Sequence, residues 1–325
     1  MKVFWNRIVS FSFALQLFCG VSEGQQTSQF TQYQLNYFAL NPAAAGSLRC
    51  FEVKVGTRSQ WVGFEGAPKT QFVTVNGALP RNKRPWLRSK HAVGILAEID
   101  QTGSRGPIRT TTLALAYAYH VPIKGDVFFS AGIFAGLKQW TVSMDQLQVF
   151  ESGDPVLARG SNSAIIYPDF NPGLMLYSDK YYAGLSIKQI WRNDLTKVVG
   201  SGASRLRWHY IATGGYRLDN GKGLYSFIPS VNIKYAFSTF PAVDLNFMMN
   251  YNRQWDLGVS YRVVEGFCAY TSYTIRNINI GYSFDYTLSK IRFGSANTHE
   301  IMVTWRRCPR KNNEEKDMLR CPAWR

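Results

Sequence analysis

Long apolar runs are missing from this chain of 325 residues once its first twenty positions are passed. No later run approaches the roughly 18 consecutive apolar residues of a membrane-spanning helix, which excludes a polytopic helical membrane protein. Aromatic residues make up 15% of the chain, and disordered proteins have few of them, so disorder is excluded too. A large soluble β-rich protein or a transmembrane β-barrel remains.

Recognisable catalytic and metal-binding motifs are also missing. The four histidines are far apart in the chain, and none stands beside a serine, cysteine or carboxylate in a known motif: His91, His120, His209 and His299. Nucleotide-binding fingerprints and zinc-peptidase motifs do not occur. We therefore expect no enzyme activity, no cofactor and no metal site.

Cysteine is scarce and lacks metal-ligand spacing. After the N-terminal segment only Cys50, Cys268, Cys308 and Cys321 remain. Cys308 and Cys321 lie in two Cys-Pro dipeptides of one polar tail, so a local disulfide between them is one option in an oxidising compartment.

The N-terminus has the features of a secretory signal peptide. Lys2 and Arg7 precede an apolar core over residues 8–18, and the small residues Ser22 and Gly24 precede a cleavage point before Gln25. The apolar core is too short for an uncleaved membrane anchor. Residues 1–24 are therefore predicted to be removed on export.

Beyond residue 50 the dominant period is two, which is the period of a β-strand. In Ile278 to Leu288 the large apolar residues alternate with Asn279, Gly281, Ser283, Asp285 and Thr287. Comparable runs predict about fourteen strands, at 51–61, 69–79, 91–99, 110–120, 126–138, 170–178, 180–190, 206–217, 223–235, 240–251, 254–263, 266–276, 278–288 and 297–305.

The even number of strands, each of roughly ten residues, is typical of bacterial outer-membrane barrels. Short and long connections largely alternate, the longest being Gln139 to Asp169, and tryptophans cluster near strand ends. Two packed soluble sheets are the alternative, but they need linkers rich in proline and glycine, which are absent. We predict an all-β fold, a transmembrane antiparallel β-barrel over residues 51–305 in the outer membrane.

Two segments flank the predicted barrel. Residues 25–50 are expected to lie in the periplasm or to fold back into the lumen as a plug. The charged tail 306–325 is expected in the periplasm, either as a docking segment or without fixed structure.

The net charge of +16 does not indicate nucleic-acid binding, because the basic residues are scattered and no nucleic-acid module is present. Some are expected on the lumen face of strands: Lys54, Arg58, Lys188, Arg217, Lys234 and Arg262. Others are expected to meet anionic lipid headgroups of the outer membrane or an acidic partner.

Several segments carry a resemblance to a known family. The strings QFTQYQLNYFALNPAAAGS from Gln29 and TRSQWVGFEGAPKTQFVTVNGAL from Thr57 resemble the amino-terminal signature of the PorP/SprF family, and Tyr167–Ile190 and Thr298–Trp305 continue the likeness. The matching signature residues are Asn41, Pro42, Gly46, Arg58, Gln60, Trp61, Gly63, Gly66, Pro68, His299 and Glu300.

The resemblance implies a non-enzymatic outer-membrane barrel of the type IX secretion and gliding machinery of Bacteroidota. It implies association with periplasmic ring components, a peptidoglycan-anchor protein or a secreted surface adhesin. The expected contact surfaces are residues 25–49, 80–90, 139–169 and 306–325. A channel for small anionic or hydrophobic solutes is the rival hypothesis.

The signature residues also have a structural interpretation. Asn41-Pro42 favours a turn, and residues 63–68 suit a hairpin loop between the first two strands. Arg58 can pair with a lumen carboxylate, and Trp61 can anchor at the membrane interface. His299 and Glu300 are expected to help to close the last strand onto the first.

Overall fold

The computed structural model describes residues 30–48, 50–79, 89–103, 106–143, 163–193, 206–220, 224–236, 241–263, 265–288, 290–308 and 323. The predicted signal peptide and most of the predicted tail lie outside these residues. Within them, no helix has the length and apolar character needed to cross a membrane.

The described chain consists almost entirely of antiparallel strands. They are β1 Phe51–Ser59, β2 Lys69–Ala78, β3 Lys90–Thr102, β4 Ile108–Lys124, β5 Val127–Val142, β6 Ser163–Tyr177, β7 Tyr181–Lys188, β8 His209–Tyr216, β9 Leu218–Asp219, β10 Tyr225–Ala236, β11 Ala242–Tyr251, β12 Trp255–Arg262, β13 Gly266–Ile275, β14 Ile278–Thr287 and β15 Thr298–Arg307. Because β8 and β9 both pair with β10, they form one interrupted strand of the wall.

The sheet closes on itself. Each strand pairs with its neighbour in sequence, and β15 returns to pair with β1 from Phe51↔Arg307 to Ser59↔His299. Among the described residues the result is a closed antiparallel barrel of 14 strands, which confirms the predicted fold.

Several strand boundaries differ from the prediction, and the largest difference lies between β5 and β6. The sequence suggested a loop from 139 to 169, but β5 continues to Val142 and β6 begins at Ser163. Pro168 lies in a stretch of β6 that pairs with β5 but not with β7, whose pairing begins only at Gly173. Proline is tolerated there because its missing N–H faces no partner strand.

The wall has an apolar outer face and a polar inner face. In β12, Leu257 and Val259 point outward and are exposed, whereas Asp256, Ser260 and Arg262 point into the lumen and are buried. This arrangement is that of a barrel surrounded by lipid.

The two ends of the barrel differ in the length of their connections. The end at which β1 begins and β15 ends, here called the short-turn end, has tight turns such as 125–126, 178–180, 252–254 and 276–277, with 79–89 as its one longer connection. The opposite end, here called the long-loop end, includes the connections 143–162 and 189–208. In bacterial barrels short turns face the periplasm.

Residues 30–48, here called the plug, lie inside the barrel. They form turns, the short helix α1 (Tyr37–Leu40) and a single 3₁₀ turn at Pro42–Ala44. Every one of these residues except Leu48 is buried. The described part of the predicted contact surface 25–49 is therefore in the lumen, where a partner outside the barrel does not reach it.

A disulfide joins the end of the plug to the end of the wall. Cys50 bonds to Cys308, not Cys308 to Cys321 as the Cys-Pro repeat suggested. The register explains this pairing, because Phe51 of β1 and Arg307 of β15 are partners. Cys50 precedes Phe51 and Cys308 follows Arg307, so the two cysteines lie next to each other. Cys321 lies outside the described residues, while Ala323 is buried and donates its N–H to the Ser178 carbonyl at 3.0 Å.

Candidate functional site

The start of the plug contacts a buried cluster of charged residues from the first strand and the last two strands of the barrel. Arg58 of β1 contacts Asp285 of β14 at 2.8 Å and Glu300 of β15 at 3.2 Å. All three side chains are buried, and Arg58 is the register partner of Glu300 across the closing strand pair. The signature residues Arg58 and Glu300 therefore meet although 242 positions separate them.

Thr31 of the plug completes this cluster. Its hydroxyl donates to Asp285 at 2.6 Å and accepts from Arg58 at 2.6 Å, and its backbone N–H donates to Glu300 at 2.8 Å. Gln32 adds a backbone N–H to Glu300 at 3.3 Å. The cluster therefore has two structural roles. It joins the first strand of the wall to the last, and it holds the start of the plug.

The charge cluster continues around the wall near the long-loop end. Arg262 contacts Asp285 at 3.7 Å and Asp244 at 3.0 Å, and Asp244 also contacts Lys234 at 3.1 Å. Charges buried in this way are stable only when paired, so each residue depends on its neighbours. The alternating network connects strands β10, β11, β12, β14, β15 and β1.

The middle of the plug is held through Asn41. Its side-chain amide donates to the carbonyls of Leu174 and Leu185, at 3.0 and 3.2 Å, on strands β6 and β7. Its side-chain oxygen accepts from the N–H of Ala43, which caps the 3₁₀ turn that begins at Pro42. Asn-Pro therefore forms the predicted turn and also attaches it to the wall.

Small residues let the plug approach the wall closely. At Gly132 of β5 a Cβ atom would lie 2.7 Å from the backbone nitrogen of Ala43. At Gly184 of β7 a Cβ atom would meet the Tyr37 hydroxyl at 2.5 Å. The wall and the plug are consequently complementary in shape at backbone level.

The last part of the plug is held at the short-turn end. Gly46 has a φ of +60° and donates its N–H to the Asn76 side chain at 3.0 Å. Lys90 donates to the Ser47 carbonyl at 2.9 Å, and the His120 ring lies 2.8 Å from the Ala45 carbonyl. A side chain at position 46 would strain this turn and overlap Ala78 and Ala92.

Five more signature residues lie in a loop that forms a cap at the long-loop end. Residues 60–68 connect β1 to β2, and Gln60 donates its N–H to the Pro68 carbonyl at 3.0 Å. Trp61 donates its N–H to Thr298 at 3.1 Å, and Gly63 and Gly66 have φ of +91° and +79°. Together with Gln101, Gly103 and Gly106 this loop lines a pocket of about 610 Å³.

His299 and Glu300 have separate positions. Successive strand residues point to opposite faces, so Glu300 enters the lumen while His299 lies on the outer side, 2.7 Å from the Tyr282 hydroxyl. Only Glu300 contacts the Arg58 cluster.

Sequence reasoning did not single out several residues that hold the plug. Asp285 stood on a polar strand face like its neighbours, and Thr31 and Tyr37 were part of a signature without an assigned role. One feature of the sequence could have identified Asp285, because it is the single carboxylate between Ile278 and Leu288. Of the described residues, no group of three or more His, Cys, Asp or Glu has a geometry suited to a metal ion.

Solved structures resemble this barrel in fold. The Ralstonia pickettii toluene transporter TbuX aligns with a TM-score of 0.51 at 10% identity, covering 86% of this chain and 94% of that one. A FadL homologue from Pseudomonas aeruginosa has a TM-score of 0.45 at 11% identity, covering 87% and 95%. At these identities the likeness concerns the fold alone. No curated relative matches the sequence.

A family model matches most of the chain and therefore shows its family. The model of the type IX secretion system membrane protein PorP/SprF matches residues 22–305, which include the plug, the cap and the closing strand pair. This chain therefore belongs to the PorP/SprF family of type IX secretion system membrane proteins, with a barrel fold of the outer-membrane type.

Proposed function

We propose that this barrel is a non-enzymatic component of the type IX secretion machinery that holds a partner at the outer membrane. The partner is a secreted surface protein or a component of the periplasmic ring. The observation that carries the proposal is the plug, which occupies the lumen from the Arg58 cluster to the Cys50 disulfide. Because a segment of its own chain lies in the lumen, the two ends of the barrel are the surfaces that we expect other molecules to contact.

The long-loop end exposes large apolar side chains, as surfaces that contact other proteins do. Val62 and Phe64 of the cap are 38% and 47% exposed, and Phe293 in the neighbouring connection is 81% exposed. The cap is held in place, because Val62 exchanges backbone hydrogen bonds with Ala296 and Asn297. Large apolar side chains fixed beyond the strand ends favour contact with another protein.

Affinity capture tests the proposal. The tagged full chain is purified from detergent-solubilised outer membranes, and co-purifying proteins are identified by mass spectrometry. Recovery of ring components or one large surface protein is the expected result. A variant with Val62→Ser and Phe64→Ser distinguishes capture through the cap from capture through the short-turn end.

Planar bilayers test the rival channel hypothesis. The purified full chain is expected to give no stable conductance, because Thr31, Asn41 and Gly46 hold the plug to the wall. A stable, open, anion-selective conductance, together with capture of the barrel alone, would replace the secretion proposal by the channel.

A further inference from the structure

The short-turn end carries an exposed cation at or beside each turn that the structure describes completely. Lys124 precedes the β4–β5 turn, Lys180 lies in the β6–β7 turn, Arg253 lies in the β11–β12 turn and Arg276 lies in the β13–β14 turn. Arg307 ends β15 at the same rim. All five are exposed, and the carboxylates in the same turns are two, Asp126 and Asp179. This set of cations is here called the basic rim.

Two other arginines at this end are paired with carboxylates. Arg217 contacts Asp219 at 2.8 Å, and Arg306 contacts Glu52 at 2.8 Å. These two pairs are neutral, although Arg253 of the basic rim also interacts with Asp219. The net positive charge at this end therefore comes mainly from the exposed residues of the basic rim. At the long-loop end, by contrast, exposed Lys69 and Arg109 share the surface with Glu65 and Glu265.

Aromatic side chains on the outer face lie directly beside the basic rim. Lys180 is followed by Tyr181, Arg307 comes two residues after Trp305, and Trp255 comes two residues after Arg253. These rings are exposed on the lipid face of the wall, where Trp255 packs on Tyr273 with centroids 4.3 Å apart. Rings at this level mark the boundary between hydrocarbon and headgroups.

We propose that the basic rim binds the phosphate groups of anionic phospholipids in the leaflet at the short-turn end. The aromatic side chains place Lys180, Arg253 and Arg307 at headgroup depth, and lysine and arginine at that depth attract anionic headgroups. An acidic protein would also complement the charge, but it would approach from water and would not require cations adjacent to lipid-facing rings. The rim thereby sets the height and tilt of the barrel in the membrane.

Lipid selectivity in vesicles tests the proposal. The full chain is reconstituted in phosphatidylcholine vesicles with added phosphatidylglycerol, and spin-labelled forms of the two lipids report which one contacts the protein. The unaltered protein is expected to prefer phosphatidylglycerol. The double variant K180Q/R307Q is expected to lose about fivefold or more of that preference, the effect of about one cation near an anionic surface.

The matched control is K69Q/R109Q, which removes two exposed cations from the long-loop end and is expected to change the preference less than about twofold. High salt should weaken the preference of the unaltered protein. Equal binding of both lipids by the unaltered protein, or equal losses in the two double variants, would overturn the proposal. So would an unchanged lipid preference in K180Q/R307Q combined with loss of an acidic protein from affinity capture.

Discussion

Arg58 and Glu300 face each other across the strand pair that closes the barrel, with their charged atoms 3.2 Å apart. One lies in the first strand and the other in the last, so the contact forms only when the wall is complete. Because Glu300 also accepts the N–H groups of Thr31 and Gln32, closing the wall and seating the plug are one structural event.

Arg58→Met is expected to lower the free energy of unfolding by about 3–5 kcal/mol, since it leaves Glu300 buried without a cation and Asp285 with only the more distant Arg262. Urea unfolding in detergent, followed by tryptophan fluorescence, measures the loss. The control Arg109→Met removes an exposed arginine and should stay within about 0.5 kcal/mol of the unaltered protein. Equal stability of the two variants would contradict the role of the cluster.

The double variant R58M/E300Q should be more stable than Arg58→Met alone by about 1–3 kcal/mol. An amide oxygen at position 300 would still accept from Thr31, while the negative charge of Glu300 is removed and only Asp285 still lacks Arg58. A double-mutant cycle that includes Glu300→Gln measures the coupling. Strictly additive effects would show that Arg58 and Glu300 do not act as a pair.

Gly132→Ala is expected to destabilise the protein by about 1–3 kcal/mol and to loosen the plug, because the new Cβ would overlap the Ala43 backbone. Thermal unfolding and protease cleavage within residues 30–48 are the measurements. Gly214→Ala is the matched control, since its Cβ would have an ordinary contact of 3.6 Å with the Tyr182 carbonyl. Similar cleavage in both variants would indicate that the plug is not seated against β5.

Asn41→Ala should lower the free energy of unfolding by about 1–3 kcal/mol, because two wall carbonyls and the N–H of Ala43 lose their partner. Asn277→Ala, at an exposed turn position, is the control and should be nearly neutral. The same unfolding assay compares them. An unaffected Asn41→Ala protein would mean that the turn does not depend on this side chain.

Reduction of the Cys50–Cys308 disulfide should lower stability by about 2–4 kcal/mol. A tryptic digest without reductant should yield one cross-linked peptide pair containing these two cysteines, and the variant C50S/C308S should lack it. Cys268→Ala, which changes the free buried cysteine, should leave the cross-link intact. A peptide that links Cys308 to Cys321 would contradict the pairing.

Strand periodicity was sufficient to predict the wall. Each of the fourteen predicted segments overlaps a strand of the barrel, because lipid outside and polar lumen inside impose alternation along every strand. β6 begins at Ser163 and not at the predicted 170, and it includes Pro168 because proline is tolerated on a side of a strand that has no partner. The disulfide was not predictable from spacing, since it depends on which strand closes the sheet.

The amino-acid sequence by itself determined that the chain forms a barrel, since alternating hydrophobicity is a local property that one strand displays alone. It also marked the signature residues, without indicating what they contact. Only the tertiary structure decided that residues 30–48 lie in the lumen and that Arg58, Asp285, Glu300 and Thr31 form one cluster. Thr31 and Glu300, like Arg58 and Asp285, are more than two hundred positions apart, and closing the barrel is what brings them within hydrogen-bond distance.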